Sequence, residues 1–447
     1  MSQGHRGTKV QPSMIKGQRG TDTMSRTRSA PRPATTSSAL RCRQCSEPVS
    51  GEFADLGMTP LANAYRRPED LERPEVFYPL VAYACESCHL VQLPSSVDPG
   101  TLFEEYLYFS SYSRTWLEHC RRYAADMVPR LGLTGSSQVI EVASNDGHLL
   151  RCFADRGVPV LGIEPAQNVA EVARSAGVPT VSRFFGEEVA RDLVNENRRA
   201  DLLVANNVLA HVPDLNGFVR GIRTLLAERG VATLEFPHLE RLIEDGAFDT
   251  IYHEHFSYFS FTTAVSLFAG HGLTVFDVEG LPTHGGSLRI YVRHEEDETR
   301  ESSSAVRALL DREAGWGVTR METYTDFRDQ VRGMKRELLG NLIELKSQGA
   351  SIVGYGAPAK GNTLLNYCGI GTDFLDYTVD RSPHKQGRYL PGTRIPIHAP
   401  ERIDETKPDY VLILPWNLTD EITQQMAHVR SWGGRFAVPI PEFKVIE

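Results

Sequence analysis

Four of the seven cysteines fall into two Cys-x-x-Cys pairs, Cys42/Cys45 in RCRQCSEP and Cys85/Cys88 in YACESCHLVQL. A knuckle of this kind brings two sulfurs to one ion from a single tight turn. Two knuckles complete a closed tetrahedral shell, so the spacing predicts a structural zinc on Cys42, Cys45, Cys85 and Cys88. The rival readings are two disulfides or a thioredoxin-like redox pair. A cytosolic setting disfavours stable disulfides, and neither pair opens a helix within a βαβ unit. His89 follows Cys88, but four sulfurs already fill the shell. Cys120, Cys152 and Cys368 read as small buried residues.

A second concentration of reactive side chains is TIYHEHFSYFS, residues 250–260. If this segment is extended, alternation sets Tyr252, Glu254 and Phe256 on one face and His253 and His255 on the other. The zincin helix pattern His-Glu-x-x-His is absent, which argues against a catalytic metal. His253 reads as a core histidine. A third stretch, GYGAPAKG over 354–361, offers a Gly354-Tyr355-Gly356 turn before a helix N-terminus, a phosphate cradle of exposed backbone N–H groups with Lys360 nearby. Lys360, Asn362, Lys385, Arg388 and Arg394 are candidate donors to a nucleotide diphosphate, Tyr355, Gly356 and Ala357 would bind it from the turn itself, and Asp380, at a strand end, would contact a ribose or base. As a motif the stretch is neither a Walker loop nor the dinucleotide fingerprint.

These residues need a scaffold, and from about residue 136 strand and helix alternate as in a doubly wound parallel sheet. The predicted succession is strand SQVIEVAS, helix HLLRCFADRG, strand VPVLGIEP, helix QNVAEVARSAG, strand PTVSRFF, helix GEEVARDLV, strand ADLLVANNVLAHV, helix LNGFVRGIRTLLAERG and strand GVATLEFPH. Ligands of such sheets bind at the carboxyl ends of the strands. That places Glu141, Ala143, Asn145, Asp146, Gly147, Glu164, Phe185, Asn206, Asn207 and His211 around one crevice. Gly147 would let the chain turn past the ligand, Glu164 would accept both ribose hydroxyls, and Phe185 would pack on adenine. A nicotinamide enzyme should show Gly-x-Gly-x-x-Gly after the first strand. EVASNDG has one glycine, so a cofactor without phosphate, S-adenosylmethionine (SAM), fits better than NAD. Residues 303–348 predict a long helix or a helix pair, and a second α/β unit follows.

Taken in order, the four-cysteine module, EVASNDGHLL, GIEP, NNVLAHVPD, EFPHLERLIEDGAFDTIYHEHFSYFS, THGGSLRIYV and GYGAPAKGNTLLNY resemble the sugar C-methyltransferases that build branched deoxysugars of antibiotics. The resemblance runs over roughly residues 42–447. It implies a small zinc domain over 42–105, a central Rossmann-like class I SAM methyltransferase domain over 106–300, and a C-terminal Rossmann-like α/β domain over 301–447 that helps hold a nucleotide sugar. It also implies that His255 is the base, with Tyr108, Asn207, His211, Tyr252 and Glu254 around the sugar. Carbon methylation beside a ketone requires loss of a weakly acidic C–H proton, a task for a neutral histidine. His211 or Tyr108 could donate to the enolate oxygen, and Tyr252 and Glu254 could orient the base or hold sugar hydroxyls. The substrate implied is a dTDP-linked 4-keto-deoxysugar, methylated at C3 or C5. The alternatives are O- or N-methylation and a non-catalytic binding protein that kept the fold.

With 447 residues and a net charge of -9, the chain has no basic footprint for nucleic acid, and no run of about 18 apolar residues suggests a membrane span. A cytoplasmic, monomeric enzyme is the expectation. Residues 1–41 hold eight Arg or Lys and one acid, Asp22, with little apolar content, and read as a disordered basic extension.

Overall fold

A computed structural model describes residues 40–97, 100 and 114–447. The basic extension up to residue 39 and Tyr108 lie outside the described residues.

Residues 39–447 form one compact unit built on three sheets. The central sheet begins with the buried strand Val139–Val142. The chain steps outward through the parallel strands Val160–Ile163 and Thr180–Val181, then returns to place Ala200–Asn206 on the other side of the first strand. Leu226–Pro237 follows in parallel, and Ser287–His294 is antiparallel between it and Leu273–Leu281. The order reverses between Val139–Val142 and Ala200–Asn206, and a reversal of this kind opens a crevice at the carboxyl ends.

The helices cover this sheet for reasons visible in their spacing. Val169, Ala170 and Ala173 of Gln167–Ser175 are buried, as are Val189, Ala190 and Leu193 of Glu187–Asn195. Each set recurs at i, i+1 and i+4 and so forms one apolar stripe. The second helix carries Glu187 and Glu188 in its first turn, where carboxylates suit the positive end of the helix dipole.

Three predicted elements differ in extent. The strand expected over 200–212 stops at Asn206 because Asn207 turns left-handed (φ 55°) while its N–H donates to the Glu235 carbonyl at 2.7 Å. Asparagine tolerates that conformation better than most side chains. The strand expected over 179–185 is only Thr180–Val181, at the sheet edge. The helix expected to reach Gly230 ends at Leu225, and the strand takes over at Leu226.

The predicted helix pair is present as Ser304–Trp316 and Met321–Ser347, separated at Gly317, whose φ is 101°. Glu313 of the first helix accepts from His238 Nε2, from the N–H groups of Phe261 and Thr262 and from the Thr262 hydroxyl. Glu313 and His238 are thereby committed to holding the start of helix Phe261–Ala269, while Glu240 beside them accepts from Arg312 Nε at 2.9 Å. The second helix buries Tyr324, Phe327, Val331, Leu338 and Leu342. Phe327 stacks on Phe53 at 4.6 Å between ring centroids, which ties the N-terminal sheet to a core shared with the C-terminal one.

The C-terminal sheet has five parallel strands. In sheet order they are Ile397–His398, Thr378–Val379, Ile352–Tyr355, Tyr410–Ile413 and Arg435–Val438, closed by the antiparallel Lys444–Ile446. Its order also reverses beside its first strand, Ile352–Tyr355, so its ligand edge lies there.

The N-terminal sheet pairs Gly51–Thr59, Tyr78–Ala84 and Val91–Gln92. Its fourth strand is Ser257–Tyr258, which comes from the middle of the chain. Among the described residues no helix is long and apolar enough to cross a membrane.

Phe53 is fully buried at the seam between the modules. Phe53→Ala should lower stability by about 3–5 kcal/mol, read as an earlier midpoint in denaturant unfolding, because the Phe327 ring loses its stacking face.

Candidate active site and zinc centre

The four cysteine sulfurs lie within 4.8 Å of one another, with Cys42 Sγ to Cys88 Sγ at 3.4 Å and Cys45 Sγ to Cys85 Sγ at 3.6 Å. Four sulfurs about 2.3 Å from a central ion in a tetrahedron stand roughly 3.8 Å apart, so the set fits zinc. The knuckles are built alike. Ser46 N donates to Cys42 O and His89 N to Cys85 O, both at 2.9 Å, and Ser46 and His89 both have positive φ. The His89 ring stacks on Tyr324 at 6.2 Å, away from a ligand role.

Arg43, between the first two cysteines, reaches from the knuckle into the rest of the molecule. It donates to Phe256 O at 2.7 Å, Leu93 O at 2.8 Å and Pro213 O at 3.1 Å. Burial lowers its pKa to about 10, so it stays charged at neutral pH. Phe256 adjoins His255, and Pro213 is two residues past His211. The metal module therefore buttresses two segments that carry reactive histidines, a link that sequence periodicity does not reveal.

Those segments open on one cavity of about 1180 Å³. On its central-sheet side the wall includes Glu141, Ala143, Asn145, Glu164, Phe185, Asn206, Asn207 and His211. Ala143, Asn145 and Gly147 take positive φ, so EVASNDG folds as a tight left-handed loop. Asp146 and Gly147 do not reach the cavity wall, and the position of a Cβ on Gly147 lies 3.0 Å from Val178. Glu164 accepts from the N–H groups of Asn145 and Ala166, each at 2.9 Å, which fixes its carboxylate at the rim and leaves further lone pairs for hydroxyls.

Glu141 is 6% exposed, and its Oε2 has no hydrogen-bond partner among the described residues. Burial, then the charges of Asp146, Glu164 and Glu235, push its pKa well up. A buried acid among acids is relieved by a cationic ligand. SAM carries an ammonium and a sulfonium, and the unpartnered side-chain amide of Asn206 adds a donor and an acceptor nearby. The residues present fit that cofactor.

The segment expected to be extended is a turn. His255 N donates to Tyr252 O at 2.8 Å, and only Ser257–Tyr258 is strand. Tyr252 and His255, set on opposite faces by alternation, therefore lie together, with the Tyr252 hydroxyl 2.8 Å from His255 Nε2. The correction has a cause in the turn Phe248–Thr250, whose Thr250 carbonyl captures His255 Nδ1 at 2.8 Å. A carbonyl only accepts, so Nδ1 carries the hydrogen and Nε2 presents its lone pair. Burial, followed by the charge of His211, holds the His255 pKa well below its ordinary value. His211 lies edge-on to it at 4.7 Å and is lowered to about 4, mainly by burial. His253 bonds the Pro79 carbonyl at 3.2 Å and is buried, as a core histidine would be.

Glu254 lines the cavity, is 4% exposed, and accepts from Asn63 Nδ2 at 2.7 Å. Burial raises its pKa to about 7. Asn63 and Tyr65 also line the cavity, and the Tyr65 hydroxyl donates to Ala357 O. Neither was singled out from the sequence, where they sit in a loop with no motif. His284 and Trp116 are further cavity residues that sequence reasoning passed over.

On the C-terminal side, Lys360, Lys385 and Arg388 of the predicted set reach the cavity, with Pro358 and Ala359. The cradle expected at Gly354–Gly356 is not free. Gly354 N donates to Tyr377 O, Gly356 N to Val379 O and Ala357 N to Asp380 Oδ2, because parallel-strand pairing continues through the turn. The donors left at this edge belong to the first turn of helix Ala359–Cys368. Asp380 also accepts from Ser382 N, so it holds the loop in place. Asn362 is buried and donates to Ala62 O, Tyr355 is buried in the sheet, and Arg394 is exposed away from the cavity.

Family models match three successive stretches of the chain. They are a zinc binding domain over residues 42–103, a methyltransferase domain over 116–278, and the C-methyltransferase C-terminal domain over 282–441. The C-methyltransferase NovU of Streptomyces niveus is 37% identical over 408 residues, 91% of this chain and 96% of that protein. A ubiquinone biosynthesis O-methyltransferase of Bartonella tribocorum is 29% identical over 101 residues, 22% of this chain and 41% of the other. Among solved structures, magnesium protoporphyrin IX methyltransferase (ChlM) from Synechocystis PCC 6803 aligns with a TM-score of 0.34 at 13% identity, covering 44% of this chain and 100% of that one.

Two outcomes follow. Cys45→Ser should cut the zinc measured by elemental analysis to well under one equivalent and lower the melting temperature, since metal affinity here is folding energy. For Glu254 the folded pKa is raised, so its contribution to stability is complete below the unfolded value near 4.5 and lost as pH rises through about 7. Glu254→Gln should therefore melt with the wild type at pH 4 and above it at pH 8 in thermal scans.

Proposed function

The chain belongs to the C-methyltransferase family and is a SAM-dependent enzyme with a structural zinc, and from that premise we propose that it methylates C3 of a dTDP-linked 4-keto-deoxysugar in the making of a branched antibiotic sugar. The observation that carries this reading is the tautomer of His255. With Nδ1 committed to the Thr250 carbonyl, Nε2 carries the ring's one lone pair, which accepts from the Tyr252 hydroxyl until a substrate proton replaces it, and burial favours the neutral ring. A hydroxyl or amine acceptor would need no such group, because those protons leave more easily.

SAM, held by Glu141, Asn145, Glu164, Phe185 and Asn206, supplies an electrophilic methyl group when bound. The Tyr252 hydroxyl holds the His255 ring by donating to Nε2 and turns aside when Nε2 takes a substrate proton. His255 takes the proton from the carbon beside the C4 ketone. Asn207 and Glu254, with Asn63 behind it, line the space for sugar hydroxyls. Lys385, Arg388 and Lys360, together with the first turn of Ala359–Cys368, supply cations and N–H donors suited to a diphosphate. Lys360, Lys385 and Arg388 stand on the C-terminal wall and the acids Glu141 and Glu164 on the central-sheet wall, where Arg220 also reaches the cavity. This charge division suits an anionic nucleotide on one side and a cationic cofactor on the other.

The test is incubation with SAM and dTDP-4-keto-6-deoxy sugars in deuterated water, with the new methyl located by NMR. A methyl on C3 is expected. A methyl on C5 would correct the position, and one on oxygen or nitrogen would overturn the carbon assignment. His255→Asn should lower kcat by about 10²–10⁴-fold while cofactor affinity, measured by calorimetry, stays near wild type.

A further inference from the structure

The base described above is weak, because its surroundings disfavour a charge on His255. A carbon acid yields its proton to such a base only when the charge arriving on the ketone oxygen meets a donor. The His255 nitrogens are engaged with Thr250 and Tyr252, and His211 interacts with the Glu254 backbone.

The hairpin loop Thr283–Gly285, between strands Leu273–Leu281 and Ser287–His294, brings one more histidine to the cavity. His284 has φ 57° and ψ 20°, a left-handed backbone that is costly for a side chain with a Cβ and that recurs at functional sites. The loop imposes it. Gly286 N and the Ser287 hydroxyl both donate to Thr283 O at 2.9 Å, and His238 N donates to Gly286 O at 3.1 Å. A Cβ on Gly285 would stand 2.9 Å from Trp416, so this turn is pressed against the C-terminal domain. Trp416 is itself fixed by donating to Asp249 Oδ2 at 2.8 Å and by lying under the Lys360 ammonium at 4.7 Å. The His284 ring is exposed to the cavity and has no hydrogen-bond partner among the described residues. A strained backbone held rigidly to present an unbonded imidazole is not explained by packing.

Resting on the ketone substrate of the previous section, we propose that His284 is a further catalytic residue that donates a ring N–H to the ketone oxygen as it takes up enolate charge. The C–H bond breaks with its proton going to His255 Nε2 and its electron pair to the carbonyl. That pair would return as the bond to the transferred methyl carbon forms and the C=O bond is restored, while the methyl–sulfur bond of the sulfonium breaks with its electron pair left on sulfur as the neutral thioether. His284 keeps its proton throughout. Desolvation by the cleft walls, although the ring stays open to the cavity itself, and then the nearby Lys360 charge favour the neutral ring, and a neutral imidazole donates without protonating the oxygen.

His284→Gly keeps the left-handed backbone and removes the ring. It should lower kcat by about 10²–10³-fold with the KM for the sugar nucleotide changed less than about threefold. Without cofactor, deuterium exchange at the carbon beside the ketone, followed by NMR, should fall by a similar factor, while zinc content and melting temperature hold. Added imidazole should restore part of the exchange, and His284→Asn should lie between the variant and the wild type. Wild-type exchange in His284→Gly overturns the assignment. So does a loss confined to KM, which would make His284 a diphosphate contact, and so does a loss with lowered melting and no imidazole rescue, which would make it structural. A wild-type enzyme that places its methyl on oxygen fails the underlying reading through a different signal.

Discussion

One guanidinium holds together parts of the chain that the sequence keeps far apart. Arg43 sits inside a cysteine knuckle and donates to carbonyls at Leu93, Pro213 and Phe256. Each acceptor is a main-chain oxygen at the end of an element; Phe256 O also accepts from Leu93 N at 3.0 Å, and the arginine adds a donor to carbonyls that are costly to bury unpaired. Its position is set by the four sulfurs, and the positions of the His211 and His255 segments are set in turn by Arg43. The four cysteines thus bear on the placement of both histidine segments through the arginine that sits between the first two of them.

Electrostatics divides the cavity in a way that follows from where the two reversing sheets meet. The central sheet supplies Glu141 and Glu164 from its strand ends, and the C-terminal sheet supplies Lys360 and Lys385 from beyond its own. Between them lie histidines that burial keeps uncharged.

Much of this was legible in the sequence because the signals were local. The knuckle spacing, the alternation of strand and helix after residue 136 and the helix pair near 303–348 each depend on neighbours within one or two turns. The failures share a cause as well. Tyr252 and His255 were set apart by an alternation that a single carbonyl, that of Thr250, overrides. The Gly354–Gly356 amides looked free because their acceptors, Tyr377, Val379 and Asp380, lie 23 residues on from their donors. Asn63 and Tyr65 carried no motif, since what brings them to the cavity is the Tyr65 bond to Ala357, across 292 residues of chain. Local pattern predicts elements, and the site is made where distant elements close on one another.

The two-residue strand Ser257–Tyr258 has a bearing on how the molecule assembles. Pairing with Val91–Gln92 joins sequence more than 160 residues apart, and Asn362 reaches Ala62 across 300. Contacts of such separation form late, after the loop-closure entropy of the intervening chain has been overcome. During synthesis the central sheet is complete before the last strands of the C-terminal sheet exist. The cavity wall cannot close around a nucleotide until nearly the whole chain has been made, so ligand affinity is itself a report that folding has finished.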